Sequence, residues 1–217
     1  MYDIALYGHL VLDTIKENTK KTHDVGGIVN VWRALKNMDS TLDIYVCPSN
    51  IGTSTITIDK ENSQRTSDSK LNGVDVKIKP APAVISHIAY INEIDDLSFL
   101  KDITGLVFAD ICSGREINKD VYKYLNYIFV SEEDKHLLRD VEEFKGTVIT
   151  HSPMKSYNNK GKTFTLPEDK YIKGANVLGA GDYYAACFMY GKLNTRLDHE
   201  CMVLSHNLTT HYLKSKV

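Results

Sequence analysis

The chain has 217 residues, 42% of them hydrophobic and 25% charged, a profile that fits one globular α/β domain with a sizeable core and excludes a disordered or fibrous chain. Its 26 basic and 28 acidic residues leave a formal net charge of −2, without the basic excess that a nucleic-acid binder gathers on one face. No run approaches the ~20 apolar residues of a membrane span. The first apolar stretch, Ile4 to Leu12, is broken by Gly8 and His9 and has no basic flank, so neither a membrane protein nor a secretory signal is expected and the cytoplasm is the expected location. Cys47, Cys112, Cys187 and Cys201 form no C-x-x-C pair, which argues for buried reduced thiols rather than a zinc site.

In chain order, Tyr2 to His9 reads as a buried strand ending in a turn at Gly8, followed by Asp13. Residues 16–24 read as a loop or short hairpin, and Gly26-Gly27 opens a helix with Val31, Ala34, Leu35 and Met38 at helical spacing. Residues 42–47 and Thr53 to Asp59 predict two strands, residues 59–73 an exposed loop, and Val74 to Ile78 an edge strand. Then strands and helices alternate: a strand near Val84 to Ala89, a short helix from Asp95 to Leu100, a strand from Thr104 to Asp110 and a helix from Lys119 to Asn126. Tyr127 to Val130 is a strand, Glu132 to Phe144 a helix and Thr147 to Thr150 a strand. This rhythm predicts βαβ units around a mainly parallel sheet, with ligands at the carboxyl ends of its strands. Asp110, Ser131 and Thr150 stand at those ends.

The sharpest motif is Asn176-Val177-Leu178-Gly179-Ala180-Gly181-Asp182, running into a small and apolar helix that Gly191 closes. Three small residues at a helix N-terminus let an anion approach free backbone N–H groups at the positive end of the dipole. A carboxylate beside that anion, Asp182, is placed to take a proton from an alcohol. The same residues also read as a turn with a capping acid. Early in the chain, Gly26 and Gly27 allow close backbone approach, and Asn30 carries both a hydrogen-bond donor and an acceptor. On local sequence Asp13 reads as a solvated loop acid. Ser131-Glu132-Glu133-Asp134 reads on local sequence as a helix cap, a near capping box. Lys160 and Lys162 read as a solvated hairpin turn, and His199, His206 and His211 lie on a last helix without ligand spacing. No Walker loop, Rossmann glycine motif or G-x-S-x-G elbow is present.

Residues 176–191 resemble the C-terminal signature of ribokinase-like (PfkB) carbohydrate kinases, and Gly26-Gly27-x-x-Asn30 is similar to that family's early motif. The resemblance implies a three-layer α/β sandwich with a small or reduced β lid, built as one domain over 1–217 with lid segments in 14–25 and 53–79. It implies that Asp182 is the catalytic base, that Gly179, Ala180 and Gly181 form the anion hole, and that Asp13, Gly26, Gly27 and Asn30 bind the acceptor. Thr150, Ser152 and Asn176, with Gly179 and Gly181, would lie along the nucleotide, and Asp134 would reach magnesium through water. ATP and Mg2+ are the implied cofactors, a small sugar, nucleoside or polyol the implied substrate, and lid pairing leaves a homodimer open. Departures include Asn176, Val177 and Leu178 for the family's acid and threonines, Ser131 and Asp134 for its Asn and Glu, and a missing strand–helix between Leu35 and Thr53. These departures keep alive the alternative of a catalytically inactive sugar- or nucleotide-binding regulator on the same fold.

Overall fold

Ile4, Ala5, Leu6 and Tyr7 are apolar in succession because both faces of their strand are covered. Ala5 and Tyr7 join one hydrophobic cluster, Ile4 and Leu6 the other. A computed structural model of the chain describes residues 1–59, 61, 64–71, 76–112 and 114–216. Ser113 and the start of the edge strand expected at Val74 lie outside the described residues.

The middle layer is one sheet in the order β10-β9-β8-β7-β6-β5-β1-β3-β4, with β2 also on β1. Here β1 is Tyr2–Glu17, β2 Lys20–Gly27, β3 Ile44–Asp59, β4 Gln64–Leu71, β5 Ala83–Ile88, β6 Leu106–Ile111, β7 Tyr127–Ser131, β8 Thr147–His151, β9 Lys155–Asn158 and β10 Thr163–Thr165. The run β3-β1-β5-β6-β7-β8 is parallel. The antiparallel pairs are β1–β2, β3–β4, β8–β9 and β9–β10.

One face of the sheet is covered by three helices, α1 (Ile28–Met38), α2 (Ala180–Leu193) and α3 (Asp198–Lys214). Their core is aromatic: Phe108 stacks on Tyr127 at 4.5 Å, and Phe188 meets Phe129 edge-on at 5.3 Å. Gly191, expected to close α2, instead lies within it. A Cβ there would come within 2.8 Å of Cys201 Sγ, so the glycine serves the close packing of α2 on α3.

The opposite face is covered by short 3-10 turns where longer helices are expected: Ile91–Glu93, Ser98–Asp102, Lys119–Tyr124, Asp134–Leu137 and Val141–Glu143. The helix expected over Glu132 to Phe144 fails for a local reason. The Leu137 carbonyl accepts from Ile117 N–H at 3.1 Å, across to another segment, and Asp140 turns left-handed at φ 47. Leu137 and Phe144 are nevertheless buried, so the apolar spacing located the core-facing residues without fixing the backbone between them.

β1 and β3 are longer than expected. The strand does not stop at Gly8 but passes it through a register shift between Gly8 and His9. The two strands read over 42–47 and 53–59 are one strand, β3. Beyond the core, β1 and β3 pair from Leu10–Ile51 to Glu17–Ile58 and are flanked by β2 and β4 to give a four-stranded extension. The segment 59–73 was expected to be loop, but Gln64–Leu71 is a strand within it. Its residues 66–70 are exposed, so there is no buried face to impose an apolar alternation. Between α1 and β3 the chain runs directly through residues 39–43.

Candidate active site

The site forms where the carboxyl ends of the parallel strands meet the N-termini of α1 and α2. β2 ends in Gly26 and Gly27, and Gly27 caps α1 with φ 66. A Cβ on Gly26 would collide with the Asp13 carboxylate, and one on Gly27 with the His9 carbonyl oxygen. The two glycines therefore let β2 fold back against β1 and start α1 so that Asn30 faces α2.

There, Asn30 Nδ2 donates to Asp182 Oδ2 at 2.9 Å across 152 residues of chain. Asp182 lies in the first turn of α2 and is 7% exposed. Its other oxygen, Oδ1, accepts from the Tyr90 hydroxyl at 2.8 Å. Tyr90 follows β5 and was not singled out in the sequence, where it reads as one more apolar residue. Its position just past a central strand was the signal available.

The glycine turn before α2 is partly spent on itself. Gly179 caps the helix in the left-handed region at φ 76. Ala180 N–H donates to the Val177 carbonyl at 3.0 Å, so the expectation that Ala180 supplies an anion-binding amide is corrected: closing the turn consumes that donor. Among the described residues, no acceptor takes Gly181 N–H, which leaves that amide for an anion at the positive end of α2. Asn176 Oδ1 accepts from Leu178 N–H at 3.0 Å and so braces the turn.

Two clefts meet at this point. The first, about 100 Å³, is lined by Asp110, Ser131, Asp134, His151, Gly181 and Asp182 among others. The second, about 120 Å³, is lined by Asp13, Asn30, Arg33, Gly179, Tyr212 and Lys216 among others. Asp13 is buried and stands opposite Asp24 in the β1–β2 pair. Lys216 Nζ and Tyr212 Oη both donate to the Leu178 carbonyl, at 3.0 and 3.2 Å, and so pin the turn from the far end of the chain. Burial pushes the Lys216 ammonium below its usual range, while Asp24 and Asp182 oppose the shift. A larger cavity, about 950 Å³, lies elsewhere, lined by His9, Ser49, Lys79, Glu93 and Phe99 among others.

The expected helix cap forms at the residues where a magnesium contact was also expected. Ser131 Oγ accepts from Asp134 N–H and donates to Asp134 Oδ2, both at 2.9 Å, while Asp134 lines the first cleft. The expectations for Thr150 and Ser152 are corrected. Thr150 is 2% exposed and points to the same face of the sheet as Val148, into the turn-covered core. Ser152 closes the β8–β9 turn by accepting from Lys155 N–H. His151, between them, is the residue of that segment that reaches the cleft. Asp110 also faces the cleft, 3.5 Å from His87 Nε2, whereas Arg115 pairs away with Asp95 at 2.6 Å.

His151 stacks on Tyr184 at 4.9 Å, and His206 packs on Phe164 and Tyr184. Burial pushes both imidazoles down to about 4, aided for His151 by the neighbouring His206 and opposed by Asp110. Both are therefore neutral at pH 7. The unfolded chain binds these protons near pH 6.5 and the folded chain near 4. Their contribution is thus complete above about 6.5 and is lost as the pH falls toward 4. Urea unfolding is expected to lose on the order of 1–2 kcal/mol per pH unit between pH 6.5 and 4.5. His206→Gln should reduce that slope by about half; an unchanged slope would remove His206 from the account.

No family model matches the chain, and no curated protein matches it. Solved structures do. Ribokinase from Thermotoga maritima is 14% identical with a TM-score of 0.75, over 98% of this chain and 93% of that one. Adenosine kinase from Sinorhizobium meliloti is 12% identical with a TM-score of 0.77, over 98% and 94%. The nucleoside kinase of Methanocaldococcus jannaschii, described as an archaeal member of the ribokinase family, is 20% identical with a TM-score of 0.66, over 100% and 93%. At these identities the likeness shows the fold, and the fold is ribokinase-like.

Proposed function

We propose that the chain is a phosphotransferase that moves the γ-phosphate of ATP, with Mg2+, to a hydroxyl of a small sugar, nucleoside or related polyol. The observation that carries this is the 2.9 Å bond between Asn30 of the early glycine turn and Asp182 at the head of α2, with a cleft on either side. A fold shared with sugar and nucleoside kinases supports the reading.

The acceptor lies in the second cleft, its hydroxyls on Asp13 and Asn30, and presents one hydroxyl to Asp182 Oδ2. The phosphates lie in the first cleft, with the γ-phosphoryl on Gly181 N–H. As the acceptor oxygen forms its bond to the γ-phosphorus, the bond from that phosphorus to the β-phosphate oxygen breaks and ADP leaves. The hydroxyl proton passes to Asp182. Lys216, holding the Leu178 carbonyl, keeps the turn closed and places a positive charge near the transferring group.

Among the described residues no group of three metal-ligating side chains converges. The first cleft instead offers the single carboxylate of Asp134 beside Ser131, a donor set that suits a magnesium ion held mainly by phosphate oxygens and water. Asp134 would hold such an ion through water, and the ion would neutralise charge on the phosphates.

The test is an ADP-release screen across monosaccharides, polyols and nucleosides. Turnover with at least one acceptor is expected. No turnover across the panel, with nucleotide or sugar still bound, would replace the enzyme by an inactive regulator. No helix among the described residues is long and apolar enough to cross a membrane.

A further inference from the structure

The Asp182 carboxylate is gripped on both oxygens, and the two grips face different clefts. Asn30, which lines the second cleft, holds Oδ2; Tyr90, which lines the first, holds Oδ1. Tyr90 is itself fixed at several points. Its N–H donates to the Asp110 carboxylate, its carbonyl accepts from Glu93 N–H at 2.9 Å, and its backbone is left-handed at φ 55. A non-glycine residue in that region has a conformational cost that the anchors around it must offset. The result is a half-buried phenol held in one orientation and aimed at the carboxylate.

We propose that Tyr90 is a positioning residue for Asp182: its hydroxyl holds Oδ1 on the phosphate side, so that the acceptor's proton is received on Oδ2, on the side of Asn30. This rests on the reading of Asp182 as the base. Each carboxylate oxygen accepts one hydrogen bond, and the phenol is the more acidic donor, so Oδ1 is the less basic oxygen and Oδ2 the better site for the proton. The bond also fixes the plane of the carboxylate, which α2 alone leaves free to rotate about its last torsion. The bond favours the charged form of Asp182, so its removal raises the pH at which Asp182 takes up a proton. The other ionisable groups lining the two clefts are Asp110, Cys112, Asp134 and His151 on the phosphate side, and Asp13, Asp24, Arg33, Tyr183, Tyr212 and Lys216 on the acceptor side. Tyr90→Phe changes none of these charges.

The experiment is Tyr90→Phe with two readouts. In the active enzyme, kcat is expected to fall about tenfold with the acceptor KM within about twofold, and the acid limb of the pH profile to move up by about one unit. Independently of turnover, the 13C carboxyl resonance of Asp182, assigned through Asp182→Asn, is expected to titrate about one pH unit higher in Tyr90→Phe than in the parent. An upward shift in the titration without turnover in either protein would support the Tyr90 pair while overturning the kinase reading. An unmoved titration and an unmoved acid limb, with only a general loss of stability, would overturn the pair.

Discussion

Asp182→Asn is expected to lose at least two orders of magnitude in kcat while keeping its fold and its affinity for nucleotide. The substitution is nearly isosteric, so the first turn of α2 and the Gly181 amide stay in place. On the proposed mechanism what disappears is the group that receives the hydroxyl proton, and losing a positioned general base costs about 10²- to 10⁴-fold, or roughly 3–5 kcal/mol of barrier. The carboxamide also turns one acceptor into a donor, which faces either Asn30 Nδ2 or the Tyr90 hydroxyl, each now donating. A Tm within a few degrees of the parent would show that this mismatch is tolerated. Steady-state kinetics beside thermal unfolding separate the two effects, and a loss in kcat of less than about tenfold would exclude Asp182 as the base.

Gly27→Ala is expected to be strongly destabilising for a single methyl group. Gly27 holds φ 66, and the added Cβ would meet the His9 carbonyl oxygen, a backbone atom of β1 that cannot swing aside. Strain plus displacement of the β1–β2 pair should cost about 3–5 kcal/mol and lower Tm by roughly 6–15 °C. The same shift carries Asn30 away from Asp182, so activity should fall beyond what stability explains. Gly161 provides the control. It has a similar backbone at φ 82 in the β9–β10 turn, but nothing lies within 4 Å of its added Cβ. Gly161→Ala should therefore cost only the left-handed conformation, about 1–2 kcal/mol. Equal costs at the two positions would mean that the contact with β1 is not what Gly27 serves.

The parts of this molecule that sequence made visible are those where one residue type is forced by a local need. Gly26 and Gly27 lie where a side chain would strike Asp13 or β1, and Gly179 where the chain turns left-handed into α2. The double-sided burial of Ile4 to Tyr7 shows as an unbroken apolar run. β4 was hidden because Ser67, Asp68 and Ser69 pair with β3 while exposed to solvent, so its pairing leaves no hydrophobic trace. The 3-10 turns over 134–143 were hidden because Leu137, Val141 and Phe144 have helical spacing, while a tertiary bond from Ile117 and a left-handed Asp140 divert the backbone. At the site, Asp182 and Asn30 were legible from their motifs. Tyr90 and Lys216 were not, since their roles depend on where β5 ends and where α3 returns. Thr150 and Ser152 had the sequence position of cleft residues, but the alternation of β8 gives the cleft to His151 instead.

On the proposed mechanism, phosphate lies on one side of Asp182 and the acceptor on the other. A crystal structure with a non-hydrolysable ATP analogue, Mg2+ and an acceptor found in the screen tests it most directly. The expected result is a γ-phosphate on Gly181 N–H in the cleft of Asp110 and Asp134, with an acceptor hydroxyl on Asp182 Oδ2 beside Asn30. Nucleotide bound instead in the large cavity of His9, Lys79 and Glu93, with the α2 turn empty, would contradict it.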